Sequence, residues 1–81
     1  MTTNRMNNNR RKEIKKIIEQ LEKLQGRIED VRDDEQDSLD NIPESLQESE
    51  RYETSEAALE NLDVSVDTIE ELINILSESA V

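Results

Sequence analysis

Two apolar stripes of equal length and equal spacing flank a lone proline, and together they dictate the fold class. In the first, Ile14, Ile17, Leu21, Leu24, Ile28 and Val31 follow one another at intervals of 3, 4, 3, 4 and 3 residues. The second, Leu59, Leu62, Val66, Ile69, Ile73 and Leu76, repeats those intervals. Apolar side chains recurring three and four residues apart share one side of an α-helix, whereas a half-buried strand alternates them every second residue. Ile18 widens the first stripe, Tyr52 and Ser55 extend the second backward, and Leu72 and Ile75 broaden its end. The pattern predicts two amphipathic helices, over residues 10–38 and 48–78, with a turn over 39–47.

Pro43 separates them. It cannot continue an incoming helix and disfavours helical geometry at Ile42, but it can open a new helix. Ser45-x-x-Glu48 just downstream has the spacing of a capping box. Leu39, Ile42 and Leu46 are apolar residues in a polar stretch, suited to closing the end of a hairpin. Helices matched in length and joined by a short link lie antiparallel. Residues 1–9, with Asn4, Asn7, Asn8 and Asn9, read as a polar, basic tail ending in an N-cap. The expected architecture is all-α: a single helical hairpin spanning residues 10–80. Its one seam barely offsets the ordering of about 65 residues, so dimerisation into a four-helix bundle or docking on a partner is expected as well. Leu72, Ile75 and Leu76 are the expected extra contact surface. The alternative is that they cover Ile14, Ile17 and Ile18 within the hairpin.

Composition narrows the chemistry. The chain has no Cys, His, Trp or Phe, so thiolate and imidazole metal sites and Cys or His nucleophiles lack their atoms. A catalytic carboxylate needs a cleft that shifts its pKa, and two helices enclose none. No enzyme activity and no cofactor are expected. Apolar runs reach only two or three residues, so neither a membrane span nor a secretory signal is expected. The expected location is the cytoplasm. Asp33-x-Glu35-x-Asp37 followed by Glu44 has the spacing of a calcium-binding loop, but Ser38 stands where that loop needs Gly and Asp40 where it favours an aliphatic residue. No metal site is expected from it.

Charge carries the functional signal. Residues 1–28 hold eight bases against three acids, and residues 29–81 hold two bases against eighteen acids, within a net charge of −11. Around the turn, residues 29–53 contain eleven acids and only Arg32 and Arg51. In the second helix Glu53, Glu56, Glu60, Asp63, Asp67 and Glu70 recur at 3, 4, 3, 4 and 3 beside the apolar stripe, while Thr54, Ala58, Asn61, Ser65 and Thr68 on the other flank are neutral. The result is one carboxylate ridge, with charges ~5 Å apart from the helical rise, beside an acidic tip that includes Asp33, Asp34 and Asp37. Such a row can occupy a basic groove built for nucleic acid, where a DNA strand places a phosphate every ~3.4 Å. The plain alternative is a solvated flank that keeps the protein soluble. Arg5, Arg10, Arg11 and Lys12 are basic enough to touch phosphate, but no aromatic residue is there to stack and the total charge repels a duplex, so direct nucleic-acid binding is not expected.

The segments RRKEIKKIIEQLEKLQGRIEDV (10–31) and DNIPESLQESERYETSEAALENLDVSVDTIEELINILSESA (40–80) resemble small acidic helical proteins of Gram-positive bacteria, their phages and mobile elements. The shared marks are the Arg-Lys-Glu-Ile start, Asn41-Ile42-Pro43-Glu44 and Ser49-Glu50-Arg51-Tyr52. The resemblance carries no site with it. It implies a context in which very small proteins act as inhibitors of host machinery or antiviral defences.

Three readings follow. The first is an inhibitor that presents the ridge and tip, Asp33, Asp34, Asp37, Glu53, Glu56, Glu60, Asp63, Asp67 and Glu70, to a basic surface on a nucleic-acid-handling or defence protein. The second is a homodimer or larger bundle with no foreign target. The third is an inhibitor that docks through Leu72, Ile75 and Leu76 as a helix in a groove.

Overall fold

A helix can start only where something other than the helix itself satisfies its first N–H groups. In the computed structural model, which describes residues 7–47 and 49–80, Asn7 does this for the first helix: its side-chain oxygen accepts from the Arg10 N–H at 2.9 Å. Helix α1 then runs Asn8–Asp40 without interruption. The chain turns through Asn41–Pro43 and a 3-10 turn at Glu44–Leu46. Helix α2 runs Glu50–Ser79. The first six residues of the expected tail, and Glu48, lie outside the described residues.

The start of α2 differs from the capping box expected at Ser45. Ser45 sits inside the 3-10 turn, and Ser49 caps the helix instead, accepting from the Tyr52 N–H at 3.3 Å. The Pro43 carbonyl accepts from the Leu46 N–H at 2.9 Å, and the Leu46 carbonyl from the Ser49 N–H at 3.0 Å. These bonds occupy the backbone in a tighter turn, so the α-helix opens one short step later.

The two helices form an antiparallel hairpin, because early residues of α1 meet late residues of α2. Gln25 reaches the Val66 carbonyl at 3.1 Å, and Arg32 reaches Asp63 at 3.0 Å. The register sets Arg32 level with Asp63, two turns beyond Glu56 on α2. Packing is thinnest where two helices have only each other, and among the described residues the most enclosed side chains are Leu39, Leu59 and Ile73, each still 8% exposed.

The seam on α2 is the predicted one, with Tyr52, Ser55, Leu59, Leu62, Val66, Ile69, Ile73 and Leu76 at least half-buried. On α1 it is not. The half-buried or buried residues are Arg11, Ile14, Ile18, Leu21, Gln25, Ile28, Arg32, Glu35 and Leu39. Ile17, Leu24 and Val31 are 37%, 44% and 55% exposed. The α1 stripe read from the sequence is therefore rotated away from α2. Half of it packs in the seam, and the other half faces out. The long stems of Gln25 and Arg32 take the vacated places because only there do their polar ends reach acceptors on α2.

Candidate binding faces

Helix α2 sorts its outward residues by chemistry. On one flank stand Glu53, Glu56, Glu60, Asp63, Asp67 and Glu70, all exposed. On the other stand Thr54, Ala58, Asn61, Ser65, Thr68, Leu72 and Ile75, with no charge among them. Antiparallel packing then decides which side of α1 joins each flank.

The acidic flank meets the side of α1 that carries Asp33. Arg32 fixes this: its Nη1 donates to Asp63 at 3.0 Å and its Nη2 to Asp33 at 2.9 Å. Gln25 binds the same flank, donating to Glu70 at 3.0 Å. Following both helices along this side gives three bases, Lys12, Lys15 and Arg32, against eleven acids: Glu19, Glu22, Glu29, Asp33, Asp40, Glu53, Glu56, Glu60, Asp63, Asp67 and Glu70. The face carries −8 of the chain's net −11. Of the predicted site residues, the structure thus gathers Asp33 with the six ridge carboxylates. Asp34 and Asp37 are exposed but point elsewhere, because residues one and four further along α1 are turned ~100° and ~40° from Asp33.

Arg32 is the pivot of this face. Hydrogen bonds to Asp63 and then to Asp33, with the charge of both carboxylates, hold its pKa above the ordinary arginine value. Its Nε is shielded from solvent and has no hydrogen-bond partner. Among the described residues, these two contacts of Arg32 are the ion pairs, so the basic opening of α1 makes none with Glu70, Glu71 or Glu78.

The opposite side is of another kind. Leu24, Arg27, Ile28, Val31 and Leu62 line a shallow groove of about 300 Å³ along it, which places Leu24 and Val31 beside the neutral flank of α2. Leu72 and Ile75 on that flank are 42% and 53% exposed, whereas Leu76 is half-buried in the seam. The charges on this side are Arg10, Glu13, Arg27, Asp34 and Arg51, a net of +1. Three of its hydroxyls are spent internally: Thr54, Ser65 and Ser79 donate to the carbonyls of Glu50, Asn61 and Ile75 at 2.8, 2.8 and 3.1 Å. The sequence showed both flanks of α2. It did not show that the exposed half of the α1 stripe joins the neutral one.

Asp33, Glu35 and Asp37 lie inside α1, so the calcium-loop spacing falls on continuous helix and forms no loop. Among the described residues no three acidic side chains come together to hold a metal ion, and no helix is long and apolar enough to cross a membrane. Comparison with protein families, characterised proteins and solved structures returns no match.

Proposed function

We propose that the protein is a non-enzymatic binding module that presents its acidic face to a basic surface on a protein that handles nucleic acid. The observation that supports this reading is the segregation of charge: eleven carboxylates and three bases on one face, against a net of +1 on the other. Packing does not demand it. Folding needs the seam, and like charges set side by side on a slender hairpin oppose folding. A solubilising charge would also be served by acids spread around both helices. A rigid row of carboxylates instead copies the one property shared by every nucleic-acid backbone, regular negative charge at a fixed spacing. The resemblance to small phage and mobile-element proteins gives the module its form, an inhibitor of host or antiviral machinery acting in the cytoplasm.

The test is a paired capture experiment. The tagged protein and a variant carrying Glu56→Lys, Glu60→Lys and Asp67→Lys are each passed through lysate of a Gram-positive host and washed at rising salt. Among the described residues these three carboxylates have no hydrogen-bonded partner, so the variant keeps the Arg32–Asp63 contact. Three reversals of two charges each take the net charge from −11 to −5. A near-stoichiometric partner held by the parent protein, lost at moderate salt and absent from the variant, is the expected result. A partner retained equally by both overturns the reading.

A further inference from the structure

We infer that the neutral face is a self-association surface, and that two copies of this chain pair through it antiparallel, with α1 crossing α1 at Leu24, to form a four-helix bundle. This inference is independent of the role proposed for the acidic face, and either can fail alone.

The first argument is placement. Ile14, Ile17, Leu21, Leu24, Ile28 and Val31 are the most apolar line on α1, and the hairpin covers only one edge of that line. A helix whose apolar stripe is wider than one neighbour can bury is built for two neighbours. The second is the cost of burial. The hydroxyls of Thr54, Ser65 and Ser79 already donate to carbonyls of their own helix, so covering these three leaves them satisfied, and only Asn61 and Thr68 on that flank have to find partners across the contact. The third is area. A face about 40 Å long, from the helical rise, on a hairpin 16 Å across at its Cα atoms offers on the order of 700 Å², close to the ~800 Å² each partner contributes to a standard interface.

Charge chooses the occupant and its direction. A second copy brings a face of net +1, whereas the acidic faces would oppose −8 with −8. Pairing through the neutral faces keeps both acidic faces outward. If the two hairpins pointed the same way, their tips, each eleven acids against two bases, would sit together. The opposite direction sets the tips at far ends. With the two-fold axis at Leu24, Ile17 of one copy lies level with Val31 of the other. Arg10 and Arg11 then come level, within a turn, with Asp34 and Asp37 of the second copy. An isologous contact of this kind closes on itself and stops at two.

The chain has no cysteine, so single cysteines report the geometry directly. Sedimentation equilibrium on the unaltered protein is expected to give twice the 9.4 kDa chain mass at tens of micromolar. With a short bis-maleimide, Leu24→Cys should self-link to a covalent dimer. Ile17→Cys alone should not, since the two positions sit ~21 Å apart along the axis, yet an equal mixture of Ile17→Cys and Val31→Cys should link. Each variant keeps an apolar side chain at the face, and its mass before linking confirms assembly. A single-chain mass for the unaltered protein, or a dimer in which Leu24→Cys does not link or Ile17→Cys self-links as readily, overturns the inference.

Discussion

Arg32 spans the hairpin to Asp63 at 3.0 Å while its other amino group holds Asp33, so one guanidinium ties two acids of the same face to one another and α1 to α2. It is the lone base among its carboxylate neighbours on that stretch, and it stands in the seam where an apolar residue would pack better. The contact fixes register more than it adds stability, since half-exposed ion pairs contribute little.

Removing that cation should expose the repulsion it offsets. Arg32→Met keeps an unbranched stem in the seam and deletes the charge. The variant is expected to melt lower than the parent at about 10 mM salt and to match or exceed it near 1 M, where screening falls to ~3 Å. Thermal unfolding followed by circular dichroism at the two salts checks this. An equal loss at both would mean that the guanidinium's packing, not its charge, matters. Because Arg32's pKa is raised, its contribution is complete at every pH below the ordinary arginine range and is lost only as pH climbs through the raised value. Alkali up to about pH 10 should therefore leave the contact intact.

Gly26 lies mid-helix on the acidic face, and a methyl group added there meets nothing within 4 Å. It serves no close approach of the helices. Gly26→Ala should stabilise the hairpin by about 0.5–1 kcal/mol through lower backbone entropy in the unfolded chain. A rise of several degrees in Tm is the expected reading, and an unchanged or lower Tm would contradict it.

Leu59 is among the most enclosed side chains of the seam, whereas Leu46 at the tip is more than half exposed. Leu59→Ala should cost about 2–3 kcal/mol, a large share of the stability of so small a domain. Leu46→Ser should stay within about 0.5 kcal/mol. Urea denaturation of the two variants separates them, and similar midpoints would show that the seam is not where the structure puts it.

If the neutral face is covered by a second copy, folding and association are linked, and Tm must rise with protein concentration. Melting the unaltered chain over a hundredfold range of concentration is expected to show a steady upward shift. A constant Tm would point to a hairpin that folds alone.

Most of this architecture was legible in the sequence for a simple reason. A 3–4 repeat has only one common solution, and Pro43 allows only one place to interrupt it. The α2 seam and the carboxylate ridge follow from the same helical period, so they too could be read residue by residue. The rotation of α1 could not. Ile17, Leu24 and Val31 differ by a single position from Ile18, Gln25 and Arg32, and apolar content alone favours the first set. What decides for the second is three long-range polar contacts, Gln25 to Val66, Gln25 to Glu70 and Arg32 to Asp63, at sequence separations of 31 to 45 residues. No local pattern contains them. The capping of α2 was misplaced for a related reason: Ser45 and Ser49 are both credible caps, and the backbone bonds of the turn choose between them.

The central claim, that the acidic face occupies a basic nucleic-acid surface, is tested most directly by competition. The captured partner, held on the immobilised protein at low salt, is titrated with a short duplex DNA. Displacement of the partner by the duplex, with none from the charge-reversed variant because none is bound there, is the predicted result. A partner that binds DNA and the acidic face together, each without effect on the other, would contradict the account.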